Sequence, residues 1–117
     1  MRILVTGGAG FVGAHLALAF KSHYPTATVI ALDNLKRRGS ELNLPRLRAG
    51  KVDFAHGDIR NLSDLEAVGA VDLIVECSAE PSVHAGYGES PAYLVQTNLI
   101  GTINALEIAR KLSLIHI

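Results

Sequence analysis

Apolar positions along the chain fall into short runs separated by polar or small-residue stretches. Ile3 to Thr6 is an aliphatic run that ends at glycines, and Phe11 to His23 follows without proline and with small residues at close intervals. Thr28 to Leu32, TVIAL, is β-branched and apolar on both faces and ends at Asp33, the pattern of a buried parallel strand. These segments predict strand, tight turn, helix and strand. From Asn34 to Gly50 the pattern turns polar and basic, with Gly39 and Pro45 as breakers, which predicts a loop with one short helix. Val52 to His56, Asn61 to Ala67 and Val71 to Cys77 then predict strand, short helix and strand. Glu80 to Glu89 is a loop broken by Pro81, Gly86 and Gly88. Ser90-Pro91 opens a long helix, serine suiting the N-cap and proline the first helical position. Val95, Leu99, Ile103 and Leu106 recur along it at helical spacing, a stripe that suits either a sheet or a partner helix. Arg110-Lys111 gives the helix a basic last turn.

The order βαβ(α)βαβ implies a parallel sheet with helices on both faces, because right-handed crossovers place them there. The expected class is α/β, a Rossmann-type doubly wound parallel sheet truncated after about four strands. Residues 1–111 form the expected unit. Leu112 to Ile117, LSLIHI, reads either as the start of a fifth strand or as a non-native tail. One frame of a transposon-based sequencing adaptor, CTGTCTCTTATACACATC, encodes these residues, and read-through of that adaptor is the favoured expectation.

Composition narrows the function classes. The 117 residues are 49% hydrophobic with few aromatics, enough for one small domain with an aliphatic interior. Eleven basic and eleven acidic side chains cancel, so no global field favours nucleic acid or an anionic membrane. The amino terminus reaches Thr6-Gly7 too soon for a signal-peptide core and no apolar run nears transmembrane length, so a cytoplasmic location is expected. Cys77 is the single cysteine, which excludes an internal disulfide and a multi-cysteine zinc site. His15, His23, His56 and His84 share no metal-ligand spacing. Cys77 has no histidine paired with it, Ser78 and Ser82 lack a nucleophile elbow, and Asp58 and Asp72 lack the setting of a glycosidase pair.

The remaining chemistry lies in the glycines. Gly8-x-Gly10-x-x-Gly13 fits a dinucleotide fingerprint, and Gly7-x-x-Gly10-x-x-Gly13 fits the same stretch in a second register. Such glycines permit a tight turn, let backbone approach a pyrophosphate and let helix pack on strand, while the helix N-terminus faces the phosphate charge. A strand precedes them, a helix follows, and Asp33 stands about twenty residues on at the tip of the second strand. Its carboxylate suits both ribose hydroxyls and repels a 2′-phosphate, favouring NAD over NADP. Lys36-Arg37-Arg38 beside it is either a solvated loop or a further nucleotide contact.

In the second register TGGAGFVG resembles the extended short-chain dehydrogenase/reductase family, the NAD-dependent epimerases and dehydratases of nucleotide sugars. The likeness runs from Met1 to about Lys111. It implies that Gly7, Gly10, Phe11, Val12 and Gly13 hold the pyrophosphate, and that Asp33, Asn34 and Leu35, in LDNL, meet the adenosine ribose. GDIRN is similar to the family's Asp-x-Arg element, which implies that Asp58 binds the adenine amino group and the Ile59 amide a ring nitrogen. ECSAEPSV corresponds to the end of the fourth strand, so Cys77, Ser78 and Ala79 are expected to line the cofactor. Glu76 stands where the family usually has histidine. TNLIGT resembles the Asn-x-x-Gly-Thr helix behind the site, where Asn98 is structural. Asp33 to Leu47 looks closest to the CDP-paratose/CDP-tyvelose 2-epimerase branch.

The family's enzymes use a tyrosine base with a lysine four residues later. Here Tyr24 is followed four places on by Thr28, Tyr87 by Pro91 and Tyr93 by Thr97. The resemblance therefore implies the NAD-binding portion of a homodimeric enzyme acting on a nucleotide sugar, without catalytic residues of its own. A non-catalytic NAD(P)-binding regulatory module is the alternative, since the fold serves both.

Overall fold

The computed structural model describes residues 1–114; Ile115 to Ile117, half of the suspected tail, lie outside the described residues. Four strands form one parallel sheet: β1 (Arg2–Thr6), β2 (Thr28–Asp33), β3 (Asp53–His56) and β4 (Leu73–Glu76), in the order β3-β2-β1-β4. Leu4 is paired with Ile30 on one side and Ile74 on the other, and Asp33 with His56. Chain direction across the sheet reverses between β1 and β4, which opens a crevice at their carboxyl ends.

Alternation along β1 and β2 divides the interior in two. Ile3, Val5, Val29 and Ala31 face α1 (Phe11–His23) and α2 (Leu44–Ala49), packing with Ala14, Ala17 and Leu47. Leu4, Ile30 and Leu32 face the other way, against Ile59, against Leu65 of α3 (Leu62–Ala67), and against Ala105 and Ile108 from the carboxyl-terminal helix. Both faces are therefore covered, as the apolar runs predict.

The helix expected from Ser90-Pro91 begins one residue later and is not uniform. It consists of α4 (Ala92–Val95), a π-helical segment (Gln96–Ile100) and α5 (Gly101–Lys111). Ser90 Oγ accepts a hydrogen bond from the Ala92 N–H at 3.2 Å, so its capping role survives the shift. The segment from Asn34 to Gly50 holds a 3₁₀ turn (Ser40–Asn43) ahead of α2, where one helix is expected.

The apolar stripe corrects one reading. Val95, Leu99, Ile103 and Leu106 do not cover the sheet; all four are exposed, and the buried positions are Thr97, Gly101, Ala105 and Ile108. The physical reason is close packing: a Cβ on Gly101 would stand 2.8 Å from Ile59 Cγ2, so small residues face the sheet and larger ones turn outward. Among the described residues no helix is long and apolar enough to cross a membrane.

Candidate functional site

A cleft of about 200 Å³ opens where β1 and β4 diverge. Its floor is the glycine turn between β1 and α1. Gly7 has φ +60°, and a Cβ there would lie 2.5 Å from the Cys77 carbonyl oxygen, so only glycine lets the turn pass under the end of β4. A Cβ on Gly13 would strike the Gly7 carbonyl, so α1 can approach the turn only with glycine at this position. Gly10 is the N-cap of α1 and no side chain caps the helix. The first N–H groups of α1, on Phe11, Val12 and Gly13, have no intrahelical acceptor and point out of the positive end of the helix.

Asp33 locks this turn to β2. Its Oδ2 accepts from the Ala9 N–H at 3.0 Å and its Oδ1 from the Leu35 N–H at 2.8 Å. Leu35 has φ +56°, a left-handed conformation rare for a branched side chain and maintained here by the bond to Asp33. Asn43 donates to the Ala9 carbonyl at 2.8 Å, tying the basic segment to the same turn. A carboxylate offers about four lone-pair sites, so Asp33 retains acceptor capacity beyond its two backbone donors.

Asp58 is engaged more completely. Its oxygens accept from the Arg60 backbone N–H (2.9 Å), Arg60 Nε (2.9 Å), Arg60 Nη2 (2.7 Å) and Asn34 Nδ2 (3.0 Å). Hydrogen bonds from Arg60 hold its carboxyl well below the usual carboxylate range. Tyr93, from α4, stands beside this pair with Lys36 Nζ 3.2 Å and Arg60 Cζ 4.7 Å from its ring centroid.

The opposite wall follows β4. Thr6 donates through Oγ1 to Glu76 Oε2 at 2.9 Å, and the Ser78 N–H donates to Glu76 Oε1. The residue that departs from histidine is thus a staple between the ends of β1 and β4; desolvation by the surrounding chain raises its carboxyl above the ordinary value. Burial, then the Glu76 charge, also pushes the Cys77 thiol up, the reverse of what a nucleophile needs. Asn98 accepts from the Glu80 N–H at 2.8 Å and donates to the Glu80 carbonyl at 3.2 Å, fixing the loop after β4 to the π-helical segment.

Of the residues singled out from sequence, Gly7, Gly10, Asp33, Asn34, Ile59, Cys77, Ser78 and Ala79 line one cleft. Phe11, Val12, Gly13, Leu35 and Asp58 lie outside its lining, although all are within or adjacent to the segments that form it. Ser40, Gly57, Tyr93 and Thr97 line it without having been singled out, and Lys36 and Arg37 join them from the basic segment. Two of them carried a signal, Gly57 at the head of GDIRN and Thr97 beside Asn98 in TNLIGT. Thr97 is buried and its Oγ1 has no hydrogen-bond partner among the described residues.

The NAD dependent epimerase/dehydratase family model matches residues 3–116. CDP-paratose 2-epimerase of Salmonella typhi is 35% identical over 119 residues, which cover 95% of this chain and 33% of that protein. A dTDP-glucose 4,6-dehydratase of Streptomyces niveus is 40% identical over 118 residues, with 95% and 34% covered. Among solved structures, UDP-glucose 4-epimerase of Thermus thermophilus in complex with NAD superposes with a TM-score of 0.80 at 31% identity, over 97% of this chain and 35% of that one. The dTDP-glucose 4,6-dehydratase of Bacillus anthracis, also in complex with NAD, gives 0.78 at 33% identity, with 95% and 34% covered. The chain spans about a third of the length of the relatives it matches. With a match across nearly all of its residues and the same parallel-sheet architecture, the chain belongs to the NAD-dependent epimerase/dehydratase family.

Proposed function

We propose that this chain is the NAD-binding portion of a cytoplasmic nucleotide-sugar epimerase or dehydratase. The observation that carries the reading is the cleft itself: the glycine turn at the start of α1, Asp33 and the Cys77 to Ala79 wall meet at the switch point of a parallel sheet. When bound, NAD supplies a reversible hydride acceptor. Gly7, Gly10 and the N–H groups of Phe11, Val12 and Gly13 hold its pyrophosphate. Asp33, with Asn34 and Leu35, receives the adenosine ribose, and a carboxylate there disfavours the 2′-phosphate of NADP. The Ile59 amide and Asp58 meet the adenine edge; because four donors already engage Asp58, its role is chiefly to position Asn34 and the Ile59 backbone. Cys77, Ser78 and Ala79 carry the chain beneath the dinucleotide with little side-chain bulk.

The tyrosine and lysine that move protons during the reaction belong to residues of the parent outside this chain, so the chain by itself turns over no sugar. The CDP-paratose branch is the specific reading that Asp33 to Leu47 supports. The parent pairs with a second copy, for which the exposed stripe of Val95, Leu99, Ile103 and Leu106 is the available apolar surface. Nucleic acid and membranes have no place in this reading, given zero net charge. Leu112 to Ile117 is treated as the non-native tail, and sequencing the source DNA across the codons for Lys111 to Ile117 tests that assignment directly.

Calorimetric titration of NAD into the 117-residue chain tests the cofactor assignment. Saturable binding is expected, weakened about tenfold or more in Gly10→Val, whose side chain projects over the pyrophosphate position. A folded wild-type chain that binds no NAD would overturn the reading.

A further inference from the structure

A basic side chain beside the ribose-binding acid is the feature by which such sites accept a 2′-phosphate. Lys36 and Arg37 both line the cleft, so the sequence next to Asp33 offers that feature twice. The two cations are not in the same situation. Lys36 Nζ lies 3.2 Å from the centroid of the Tyr93 ring, in the position where the quadrupole of an aromatic ring attracts a cation. The ring is itself held in place: Arg60 Cζ lies 4.7 Å from its centroid, Asp58 anchors Arg60, and Asn34 Nδ2 reaches Tyr93 Oη at 3.5 Å. Held on Tyr93, Lys36 keeps its charge, but pairing its ammonium directly with a phosphate beside Asp33 costs it the ring contact.

Resting on the cofactor reading above, we propose that Tyr93 is a specificity-determining residue. By holding the Lys36 ammonium on its ring it competes with direct pairing of that cation to a 2′-phosphate beside Asp33, and so favours NAD over NADP. The contact needs the lysine three residues after the acid and the tyrosine in the first turn of α4 together.

The test is equilibrium titration of NAD and NADP, separately, into the 117-residue chain and its variants, with no turnover required. Tyr93→Leu is expected to raise NADP affinity relative to NAD about threefold to fivefold, the range that corresponds to an exposed cation–π contact. Tyr93→Phe retains the ring face and leaves the ratio unchanged. Lys36→Gln added to Tyr93→Leu returns the ratio to the wild-type value. Lys36→Gln alone, at an exposed position that folding does not depend on, changes NADP affinity by less than about twofold. A loss of about tenfold in that variant would show Lys36 already reaching the phosphate and would overturn the proposal. If the wild-type chain binds NAD and Tyr93→Leu leaves the ratio where it was, the proposal fails while the cofactor reading stands. If the folded wild-type chain binds neither nucleotide, both fail together.

Discussion

The two strands that border the cleft are supported in different ways. Ile3, Leu4 and Val5 of β1 are 0% exposed, sealed by β2, β4 and helices on both faces. On β4, Leu73 is 36% exposed, and the helix that follows presents Leu99 at 55% and Ile103 at 50%. The glycine turn therefore rests on close-packed interior, while the Cys77 to Glu80 wall rests on a strand with one neighbour among the described residues. That second wall is held by polar staples instead: Thr6 to Glu76, and Glu80 to Asn98. One side of the site is positioned by packing and the other by hydrogen bonds, and the two kinds of support respond to different perturbations.

The largest expected effect separates them by burial. Leu4→Ala removes a fully buried side chain between β1 and its cover and is expected to cost about 3 kcal/mol. Leu99→Ala, the same substitution on the exposed stripe, is expected to change stability by no more than about 0.5 kcal/mol in the monomer. Urea midpoints at constant m-value give both numbers. Similar losses at the two sites would mean that the stripe is covered in solution, and dilution would then show it through a concentration-dependent midpoint.

The same contrast explains what the sequence disclosed. Short apolar runs ending at glycine or aspartate suffice for β1 and β2, because a strand buried on both faces must be apolar at every position, and Asp33 marks where burial ends. The glycine register was legible for a related reason, since contacts such as Gly13 on the Gly7 carbonyl admit no other residue. The helix face was not legible. Its large apolar residues suited either a sheet or a partner helix, but a π-helical segment from Gln96 to Ile100 alters the helical phase, and Gly101 and Ala105 pack inward because they are small. Tyr93 and Ser40 were invisible for a different reason: they reach the cleft by tertiary placement, with no motif or spacing that links them to the glycine turn.

The side of the cleft away from β4 carries a polar support of its own, the Asp58–Arg60 pair, which acid should weaken. Asp58 is held below its ordinary value of 3.8 by the Arg60 hydrogen bonds, so the stability it contributes is fully present above that pH and is lost as pH falls toward its folded value. Asp58→Asn is expected to cost about 1–2 kcal/mol at neutral pH, with screening at the partly exposed guanidinium included. The gap between wild type and variant should stay constant from pH 7 to about pH 5 and narrow below pH 4. Urea midpoints measured across that range decide it. A gap that persists unchanged to pH 2 would assign the stabilisation to packing of Asp58 and Arg60 and not to their ionised pairing.

Thr97 gives the smallest change in stability and the sharpest separation of fold from function. Its hydroxyl is buried on the cleft wall without a partner among the described residues, so folding desolvates it and returns no hydrogen bond. Thr97→Val keeps the branched shape and replaces that hydroxyl with a methyl group, which is expected to stabilise the folded chain by about 1 kcal/mol. If NAD binding opens this wall enough for the nucleotide to supply the missing partner, the same substitution weakens NAD binding by about threefold to tenfold, so melting temperature and affinity move in opposite directions. A residue that serves only the fold cannot do this: its removal would lower both or leave affinity untouched. Thermal melts without nucleotide, set beside calorimetric titration with NAD, therefore show whether the polar wall leaves a hydrogen bond unmade because the cofactor is the group that completes it.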